Sequence, residues 1–251
     1  MAGPLDAMHD ATHDPTADTA DDTAADLAAD RAAEDKSALR RRLRALRGQL
    51  LAGSEAAIRA QVVPLLEAHL AGPGRLGLYW PMAGEVDLRP LADLPCLASR
   101  LALPAVAGQR LLYRPWQPGE ALPHDDCGIP APPPSAGELT AGALALLLVP
   151  ALAIDRQGLR LGYGGGWYDR LRSRPDWRRV PALAVLPGGC LLERLPGDPW
   201  DVPLDGWICE QGLGQPPSPS SPSQSCSQTG PDPLGPGAHL RGSPPVHRRS
   251  P

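Results

Sequence analysis

A run of four glycines between an arginine and a carboxylate most constrains how this 251-residue chain can fold. The run lies in the segment Arg160-Leu-Gly-Tyr-Gly-Gly-Gly-Trp-Tyr-Asp169. Glycine lets successive backbone N–H groups turn toward one point, and a helix beginning near Trp167 directs its positive dipole end there. The segment therefore predicts a phosphate-binding loop. A flexible glycine loop is the alternative, which the charges of Arg160, Asp169 and Arg170 disfavour.

The loop differs from the common nucleotide-binding signatures. A P-loop requires Lys and then Ser or Thr after the last glycine, whereas this chain has Trp167-Tyr168 there. A dinucleotide-binding fingerprint follows the first strand of its domain, whereas this loop lies two thirds of the way along the chain. Asp169 falls in the first turn of the expected helix, where a carboxylate can hold a magnesium ion that bridges phosphate oxygens.

Both ends of the chain differ in composition from its middle. Residues 1–35 carry ten acidic residues and one arginine, with few large apolar side chains. Residues 213–251 are mostly Pro, Ser, Gly and Gln. Such segments cannot offset their ordering entropy, so we expect a disordered acidic leader over 1–35 and a disordered Pro/Ser-rich tail over 213–251. One folded catalytic domain is expected over 36–212.

The predicted domain is mildly cationic, although the whole chain has a net charge of −4. Residues 36–212 contain 20 Lys and Arg against 17 Asp and Glu. This balance suits a small anionic ligand such as a nucleotide or folate, and it is too weak to indicate nucleic-acid binding. The cysteines form no C-x-x-C pair, so a reduced cytoplasmic protein is the simplest interpretation. No apolar run reaches the length of about 18 residues that a membrane span requires.

Hydrophobic spacing in the predicted domain changes from a helical period to that of strands. Leucines at spacings of three and four predict a helix over 34–52, and Ser54 is the expected N-cap of a second helix over 54–70. A short helix is expected near 88–91. Apolar runs predict strands over 75–80, 101–104, 111–116, 144–149, 182–186 and 207–209. Helices between apolar strands favour an α/β layer structure with a largely parallel sheet.

Three acidic or glycine-rich features lie next to predicted strands. Glu85 follows the strand 75–80, the glycine-rich loop follows the strand 144–149 by one turn, and Asp201 precedes the last strand. Ligands of open α/β sheets bind beyond the carboxyl ends of strands, so all three can face one crevice. Two carboxylates near a phosphate-binding loop favour magnesium over zinc, which makes Asp169 and Asp201 the candidate ligands. Capping of a turn is the alternative role for Asp201.

Lys36 is the only lysine in a chain with 23 arginines. Its retention suggests that a compact ammonium group contacts a phosphate, with a solvated helix position as the alternative. Lys36 and Arg40 lie one helical turn apart, so both side chains can reach one ligand.

Five short motifs occur in one order between residues 36 and 212. They are Lys36-Ser-Ala-Leu-Arg40, Glu85-Val-Asp87, Leu148-Val-Pro150, the glycine-rich loop and Asp201-Val-Pro-Leu-Asp205. Together they resemble the motifs of the 5-formyltetrahydrofolate cyclo-ligase family, also called methenyltetrahydrofolate synthetase. The resemblance implies a three-layer α/β fold with a mostly parallel central sheet, similar to the ribose-phosphate isomerase and CoA-transferase group. It also implies ATP- and Mg²⁺-dependent closure of 5-formyltetrahydrofolate to 5,10-methenyltetrahydrofolate, with release of ADP and phosphate.

The same resemblance implies roles for individual residues. Lys36, Arg160 and Tyr168 are expected to act in catalysis, and Asp169 and Asp201 to hold Mg²⁺. The expected ATP-binding residues are Lys36, Arg40, Arg160, Leu161, Gly162, Tyr163, Gly164, Gly165, Gly166, Trp167 and Tyr168. The expected folate-binding residues are Trp80, Glu85, Tyr163 and Trp167. Glu85 is expected to accept hydrogen bonds from the pterin, and its alternative role is the N-cap of the following helix. For the aromatic residues the alternative is a place in the hydrophobic core or at the rim of the site.

Two positions depart from the family pattern. Trp167 stands where the family commonly has Tyr or Phe, and Ala105 stands where it often has Arg. Arg110 and Arg114 are the candidates to replace that missing cation. Two alternatives to the ligase remain: a relative that binds ATP or folate without chemistry, and an enzyme of the sugar-phosphate isomerase or CoA-transferase kind. A monomer that binds 5-formyltetrahydrofolate, with or without a polyglutamate tail, is expected.

Overall fold

The computed structural model describes residues 16–217, with side chains from Lys36 onward. Its first element is α1, Thr16–His69, which begins inside the segment predicted to be a disordered leader. The backbone of residues 16–35 is therefore helical, in keeping with their alanine content. The other parts of the predicted leader and tail, residues 1–15 and 218–251, lie outside the described residues.

The two helices predicted over 34–52 and 54–70 form one continuous helix, so the predicted break was wrong. Ser54, the expected N-cap, lies inside α1 and its hydroxyl donates to the Leu50 carbonyl at 2.9 Å. The glycine at position 53 costs about 1 kcal/mol in a helix interior. Burial of large apolar side chains on both sides of it, such as Leu43 and Ile58, stabilises the helix by more than that cost.

Ten strands and two short α-helices follow α1 in the described part of the chain. They are β1 (Arg75–Gly77), β2 (Leu101–Ala107), β3 (Arg110–Trp116), β4 (Leu144–Pro150), β5 (Ala153–Asp155), β6 (Arg160–Leu161), α2 (Trp167–Arg172), α3 (Pro175–Arg178), β7 (Ala182–Val185), β8 (Leu191–Leu192), β9 (Gly206–Cys209) and β10 (Gly212–Gly214). The short helix expected near 88–91 is a 3₁₀ helix, Arg89–Asp93. No helix among the described residues combines the length and apolar character needed to cross a membrane.

The main sheet has seven strands in the order β10-β9-β7-β4-β1-β2-β3. The five strands from β9 to β2 are parallel, and β3 and β10 are the antiparallel edges. Each predicted strand has a counterpart, although β1 ends at Gly77 rather than at residue 80. The predicted domain boundary at residue 212 falls on the first residue of β10. Two of the three residues of this strand are glycines, so it has no apolar run by which the sequence could predict it.

Alternate residues of the central strands pack against different helices. Leu146 and Leu148 of β4 lie in one buried cluster with Ile58 and Val62 of α1. Their neighbours Leu147 and Val149 lie in a second cluster, which includes residues of α2 and α3. The sheet therefore has helices on both faces, and the prediction of a three-layer α/β fold with a mostly parallel sheet is confirmed.

A small second sheet, β6-β5-β8, connects β4 to the glycine-rich loop. The carboxylate of Asp155, which is fully buried, organises this region. Its Oδ1 accepts hydrogen bonds from the Gln157 and Leu159 backbone N–H groups at 2.9 Å, and its Oδ2 accepts from Leu195 N–H at 3.0 Å. One side chain thereby fixes the turn before the glycine-rich loop and the segment that leads to Asp201.

Candidate active site

The glycine-rich loop occupies residues 162–166, between β6 and α2. Gly164 has φ +104° and Gly166, the residue before α2, has φ +62°. These backbone conformations are rarely adopted by residues with a Cβ atom, so this path of the chain requires glycine at both positions. The predicted helix start is confirmed, because α2 begins at Trp167.

The loop forms one wall of a cavity of about 440 Å³, here called the polar cavity. Charged side chains dominate the remaining walls and come from three parts of the chain: α1, the loop region and the segment before β9. They are Lys36, Arg40, Arg160, Asp169, Arg170, Asp198 and Asp201. A cavity lined by carboxylates, cations and a glycine-rich loop has the chemistry of a site for a phosphorylated ligand and a hard cation.

Lys36 lies between two carboxylates of the polar cavity. Its Nζ donates to Asp198 Oδ2 at 2.5 Å and to Asp201 Oδ2 at 3.2 Å. Asp201 Oδ2 also accepts from the Asp198 backbone N–H at 2.8 Å, so its turn-capping role is present together with its position in the cavity. Arg40, one turn after Lys36, donates from Nε to the Gly162 carbonyl at 3.1 Å. The i, i+4 spacing on α1 thus brings both cations to one cavity.

Arg160 is held at the inner end of the polar cavity. Its Nη1 donates to the Pro150 carbonyl at 3.2 Å, and its Nη2 lies 3.5 Å from Asp169 Oδ2. The guanidinium carbon lies 5.1 Å from the centre of the Tyr168 ring. Burial raises the pKa of Tyr168 to about 12, so its hydroxyl stays protonated at neutral pH.

A second cavity of about 260 Å³, here called the aromatic cavity, lies beyond the carboxyl ends of β1, β2 and β4. Five aromatic side chains line it: Tyr79, Trp80, Tyr163, Trp167 and Tyr168. Trp80 is held edge-on against Trp116, with ring centres 6.2 Å apart. Arg160, Gly165 and Gly166 line both cavities, so the two sites meet at these three residues.

Glu85 is the buried carboxylate of the aromatic cavity, with only 4% of its surface exposed. Its Oε2 accepts from the Met82 backbone N–H at 2.8 Å, so it caps the turn before it rather than a following helix. Its Oε1 has no hydrogen-bond partner within the described residues. Burial raises the pKa of Glu85, while the Met82 N–H and the guanidinium groups of Arg47 and Arg160 oppose that rise. The free oxygen is an acceptor for a ligand with N–H donors.

The predicted site residues separate into the two cavities. The expected folate-binding residues, Trp80, Glu85, Tyr163 and Trp167, all line the aromatic cavity. Of the expected ATP-binding residues, the polar cavity contains Lys36, Arg40, Arg160, Leu161, Gly162, Gly164, Gly165 and Gly166. The other three, Tyr163, Trp167 and Tyr168, line the aromatic cavity instead. Both expected metal ligands, Asp169 and Asp201, line the polar cavity.

Neither candidate for the missing cation near Ala105 lines the aromatic cavity. Arg110 forms an ion pair with Glu138 at 2.6 Å. Arg114 is buried and donates to the Pro132 carbonyl at 2.8 Å. Both side chains thus have structural partners, and Arg160 is the only cationic side chain in the lining of the aromatic cavity among the described residues.

Two residues of the polar cavity, Asp198 and Trp200, were not predicted from the sequence. Asp198 contacts Lys36 more closely than Asp201 does, and Trp200 lines the cavity while 70% of its surface stays exposed. Asp198 precedes Asp201 by three residues, a spacing that turns commonly use, but no sequence pattern singles it out. Asp205, the last residue of the motif that begins at Asp201, accepts from Arg172 Nη2 at 3.1 Å and from Ala182 N–H at 2.8 Å, outside the lining of both cavities.

Comparison with solved structures supports the fold assignment. The structure is similar to the NMR structure of Aquifex aeolicus 5,10-methenyltetrahydrofolate synthetase, with a TM-score of 0.59 and 28% identity over 77% of this chain and 98% of the other. It is also similar in fold to a 5,10-methenyltetrahydrofolate synthetase from Mycoplasma pneumoniae, with a TM-score of 0.53 and 21% identity over 70% of this chain and 99% of the other.

Sequence comparisons lead to the same family. The 5-formyltetrahydrofolate cyclo-ligase of Escherichia coli K12 is 30% identical over 174 residues, which cover 66% of this chain and 93% of that protein. The enzyme of the same name from Mycolicibacterium smegmatis is 32% identical over 133 residues, or 50% of this chain and 68% of that protein. The model of the 5-formyltetrahydrofolate cyclo-ligase family matches residues 32–210. The chain therefore belongs to the 5-formyltetrahydrofolate cyclo-ligase family.

Proposed function

We propose that this protein closes 5-formyltetrahydrofolate to 5,10-methenyltetrahydrofolate with hydrolysis of ATP to ADP and phosphate. The observation that carries the proposal is the meeting of a polar and an aromatic cavity at Arg160, Gly165 and Gly166. A phosphoryl group held in one cavity and a formyl group held in the other would then be neighbours. Such proximity is what an ATP-dependent ring closure requires.

The polar cavity is the proposed ATP site. Lys36, Arg40 and Arg160 supply positive charge, and the glycine-rich loop supplies backbone donors for phosphate oxygens. Asp169 and Asp201 would hold Mg²⁺, which supplies charge neutralisation on the phosphate oxygens when it is bound. Their carboxylates are the hard oxygen ligands that this ion prefers, so the residues present fit it. Lys36 would then exchange its two carboxylate partners for phosphate oxygens.

The aromatic cavity is the proposed site of the folate. The flat faces of Trp80, Tyr163 and Trp167 suit a pterin ring, which is itself flat and conjugated. The unpartnered Oε1 of Glu85 is a buried acceptor for the ring's N–H donors. A ligand that leaves such an acceptor unpaired would lose affinity, so Glu85 also selects for a ring that carries donors.

The two sites together support a phosphoryl transfer followed by ring closure. The formyl oxygen attacks the γ-phosphorus, the bond to the β–γ bridging oxygen breaks, and ADP leaves. N10 then adds to the formyl carbon and loses its proton to solvent, and the formyl oxygen departs with the phosphate. Arg160, at the junction, would neutralise charge on the transferred phosphoryl group, and the Tyr168 ring, 5.1 Å from the Arg160 guanidinium carbon, would help to hold that guanidinium in place.

Further expectations accompany this function. We extend the predicted domain of residues 36–212 to 36–217, because β10, Gly212–Gly214, is an edge strand of the main sheet. A folate with or without a polyglutamate tail remains the proposed substrate, and a monomer in the cytoplasm remains a prediction.

An omission experiment tests the proposed function. The purified protein is mixed with 5-formyltetrahydrofolate, ATP and magnesium, and the absorbance of methenyltetrahydrofolate is followed while each component is left out in turn. The proposal expects a product band only in the complete mixture, with one ADP formed per methenyl group. Product formation without ATP, or ATP hydrolysis that does not depend on folate, would contradict it.

A further inference from the structure

Arg47 is a buried cation behind the aromatic cavity, and only 1% of its surface is exposed. It lies on α1 and does not contribute to the lining of either cavity. Its Nη1 donates to the Ala151 carbonyl at 3.1 Å. Its Nε and Nη2 have no hydrogen-bond partner within the described residues. A buried guanidinium group with two unpaired nitrogens is costly, so its burial is favourable only beside a group that compensates its charge.

The groups that Arg47 faces belong to the aromatic cavity. Its guanidinium carbon lies 5.4 Å from the centre of the Tyr163 ring. Its Nη2 lies next to Gly84, only 3.5 Å from the place where a side chain at that position would begin. Gly84 is the residue directly before Glu85. Glu85 Oε1 and the Tyr163 hydroxyl are buried and unpartnered within the described residues, as are the two Arg47 nitrogens. A cation, a carboxylate and a phenol thus lie together in one buried region.

We propose that Arg47 is a positioning residue that keeps Glu85 ionised and directed into the aromatic cavity, so that a folate ring meets a charged acceptor. The inference rests on the proposed function, because Glu85 is the contact to the pterin. Arg47 acts through Glu85 and Tyr163 without touching the substrate. A protonated Glu85 would present a donor and a weaker acceptor, and would match the pterin's N–H groups poorly.

The sign of the pH effect follows from the groups around Glu85. Burial already raises the pKa of Glu85, and the positive charge of Arg47 limits that rise. Loss of the charge therefore raises the pKa of Glu85 further, and the carboxyl becomes protonated at a higher pH. The titratable and charged groups that face Glu85 are Arg47 of α1, Arg160 of β6, Tyr79 after β1, Tyr163 of the loop and Tyr168 of α2. The three tyrosines have raised pKa values and stay neutral.

The test compares Arg47→Gln with Arg47→Lys and with the control Arg44→Gln. Arg44 lies on the same helix and 5.7 Å from the same Tyr163 ring, but it is exposed. The KM for 5-formyltetrahydrofolate and kcat are measured from pH 6 to pH 8.5. The values for each variant are divided by the wild-type values at the same pH, so that the ionisations of the substrate cancel. The binding of 5-formyltetrahydrofolate without ATP is measured by calorimetry at the two extremes.

For Arg47→Gln we expect KM and Kd to rise roughly tenfold at pH 6 and less than about twofold at pH 8.5, since a neighbouring charge commonly changes carboxyl protonation by that order. Arg47→Lys and Arg44→Gln are expected to stay within about twofold of the wild type at both extremes. A ratio for Arg47→Gln that is the same at both pH values would indicate a purely structural role and overturn the inference. A wild type that neither binds nor converts 5-formyltetrahydrofolate would instead refute the proposed function.

A second variant covers the case in which Arg47→Gln does not fold. If the cause is an unneutralised Glu85 carboxylate, then Arg47→Gln combined with Glu85→Gln should regain a cooperative thermal transition. A double variant that also fails to fold would show that Arg47 serves the fold through the Ala151 carbonyl, and it would refute the inference.

Discussion

The substitutions Asp201→Asn and Asp205→Asn should affect different properties, magnesium dependence in the first and stability in the second, although the two residues lie four positions apart in one motif. Asp201 lines the polar cavity and accepts from Lys36 Nζ at 3.2 Å. Asp205 lies outside that lining and accepts from Arg172 Nη2 at 3.1 Å and from Ala182 N–H, the first residue of β7, at 2.8 Å. We therefore expect a magnesium defect in the first variant and a stability defect in the second.

The expected size of each defect follows from these contacts. Loss of one of two carboxylate ligands removes about 1.5–3 kcal/mol of charge-assisted interaction, which corresponds to roughly 10- to 100-fold more magnesium for half-maximal rate. At Asp205 the asparagine oxygen can still accept from Ala182, and half of the side chain is exposed to solvent. The weakened contact to the buried Arg172 should cost about 1 kcal/mol, which lowers the Tm by about 2–4 °C.

The assay is a magnesium titration of the initial rate at saturating ATP, combined with thermal unfolding followed by circular dichroism without ligands. Asp201→Asn should shift the magnesium curve and leave the Tm close to the wild type, because Asp198 remains 2.5 Å from Lys36. Asp205→Asn should lower the Tm and leave the magnesium curve in place. A larger magnesium shift at Asp205 than at Asp201 would mean that the metal ligands are wrongly assigned.

Three further predictions concern the ATP site and the domain bounds. Lys36→Met and Lys36→Arg should each raise the KM for ATP by about tenfold and leave the KM for folate unchanged, and an unchanged ATP constant in the Met variant would refute the phosphate contact. Asp169→Asn combined with Asp201→Asn should be little worse than the poorer single variant, since both act on one ion; additive losses in the magnesium titration would count against a shared site. A chain of residues 36–217 should keep the melting transition and the activity, and loss of either would show that the removed residues contribute to the domain.

The features that could be predicted from sequence are those with strong local physics. Gly164 and Gly166 are needed for a left-handed backbone, so the loop and the start of α2 followed from residue type. The apolar run 144–149 fills the centre of a parallel sheet, which is why β4 was predicted within one residue. Lys36 and Arg40 share one cavity because a helix fixes their relative direction.

The features that were missed depend on contacts distant in sequence. Strands β5, β6 and β8 have two or three residues each, too few to show a period, and the buried Asp155 that joins them has no local signature. The single helix α1 replaced two predicted helices because packing on the sheet outweighs the unfavourable helix propensities of Gly48, Gly53 and Pro64 inside it. Arg47 follows several other arginines on α1, and helical spacing alone does not distinguish a buried guanidinium group from a solvated one.

The most direct test of the central claim follows a single oxygen atom. If the two cavities bring the formyl oxygen of the folate to the γ-phosphorus at Arg160, that oxygen must leave with the phosphate when the ring closes. The protein is supplied with 5-formyltetrahydrofolate that carries oxygen-18 in the formyl group, together with unlabelled ATP and magnesium, and the released phosphate is analysed by mass spectrometry. The account predicts one labelled oxygen in each phosphate formed with methenyltetrahydrofolate. Phosphate without the label, with the label released to water, would contradict the direct transfer between the two cavities.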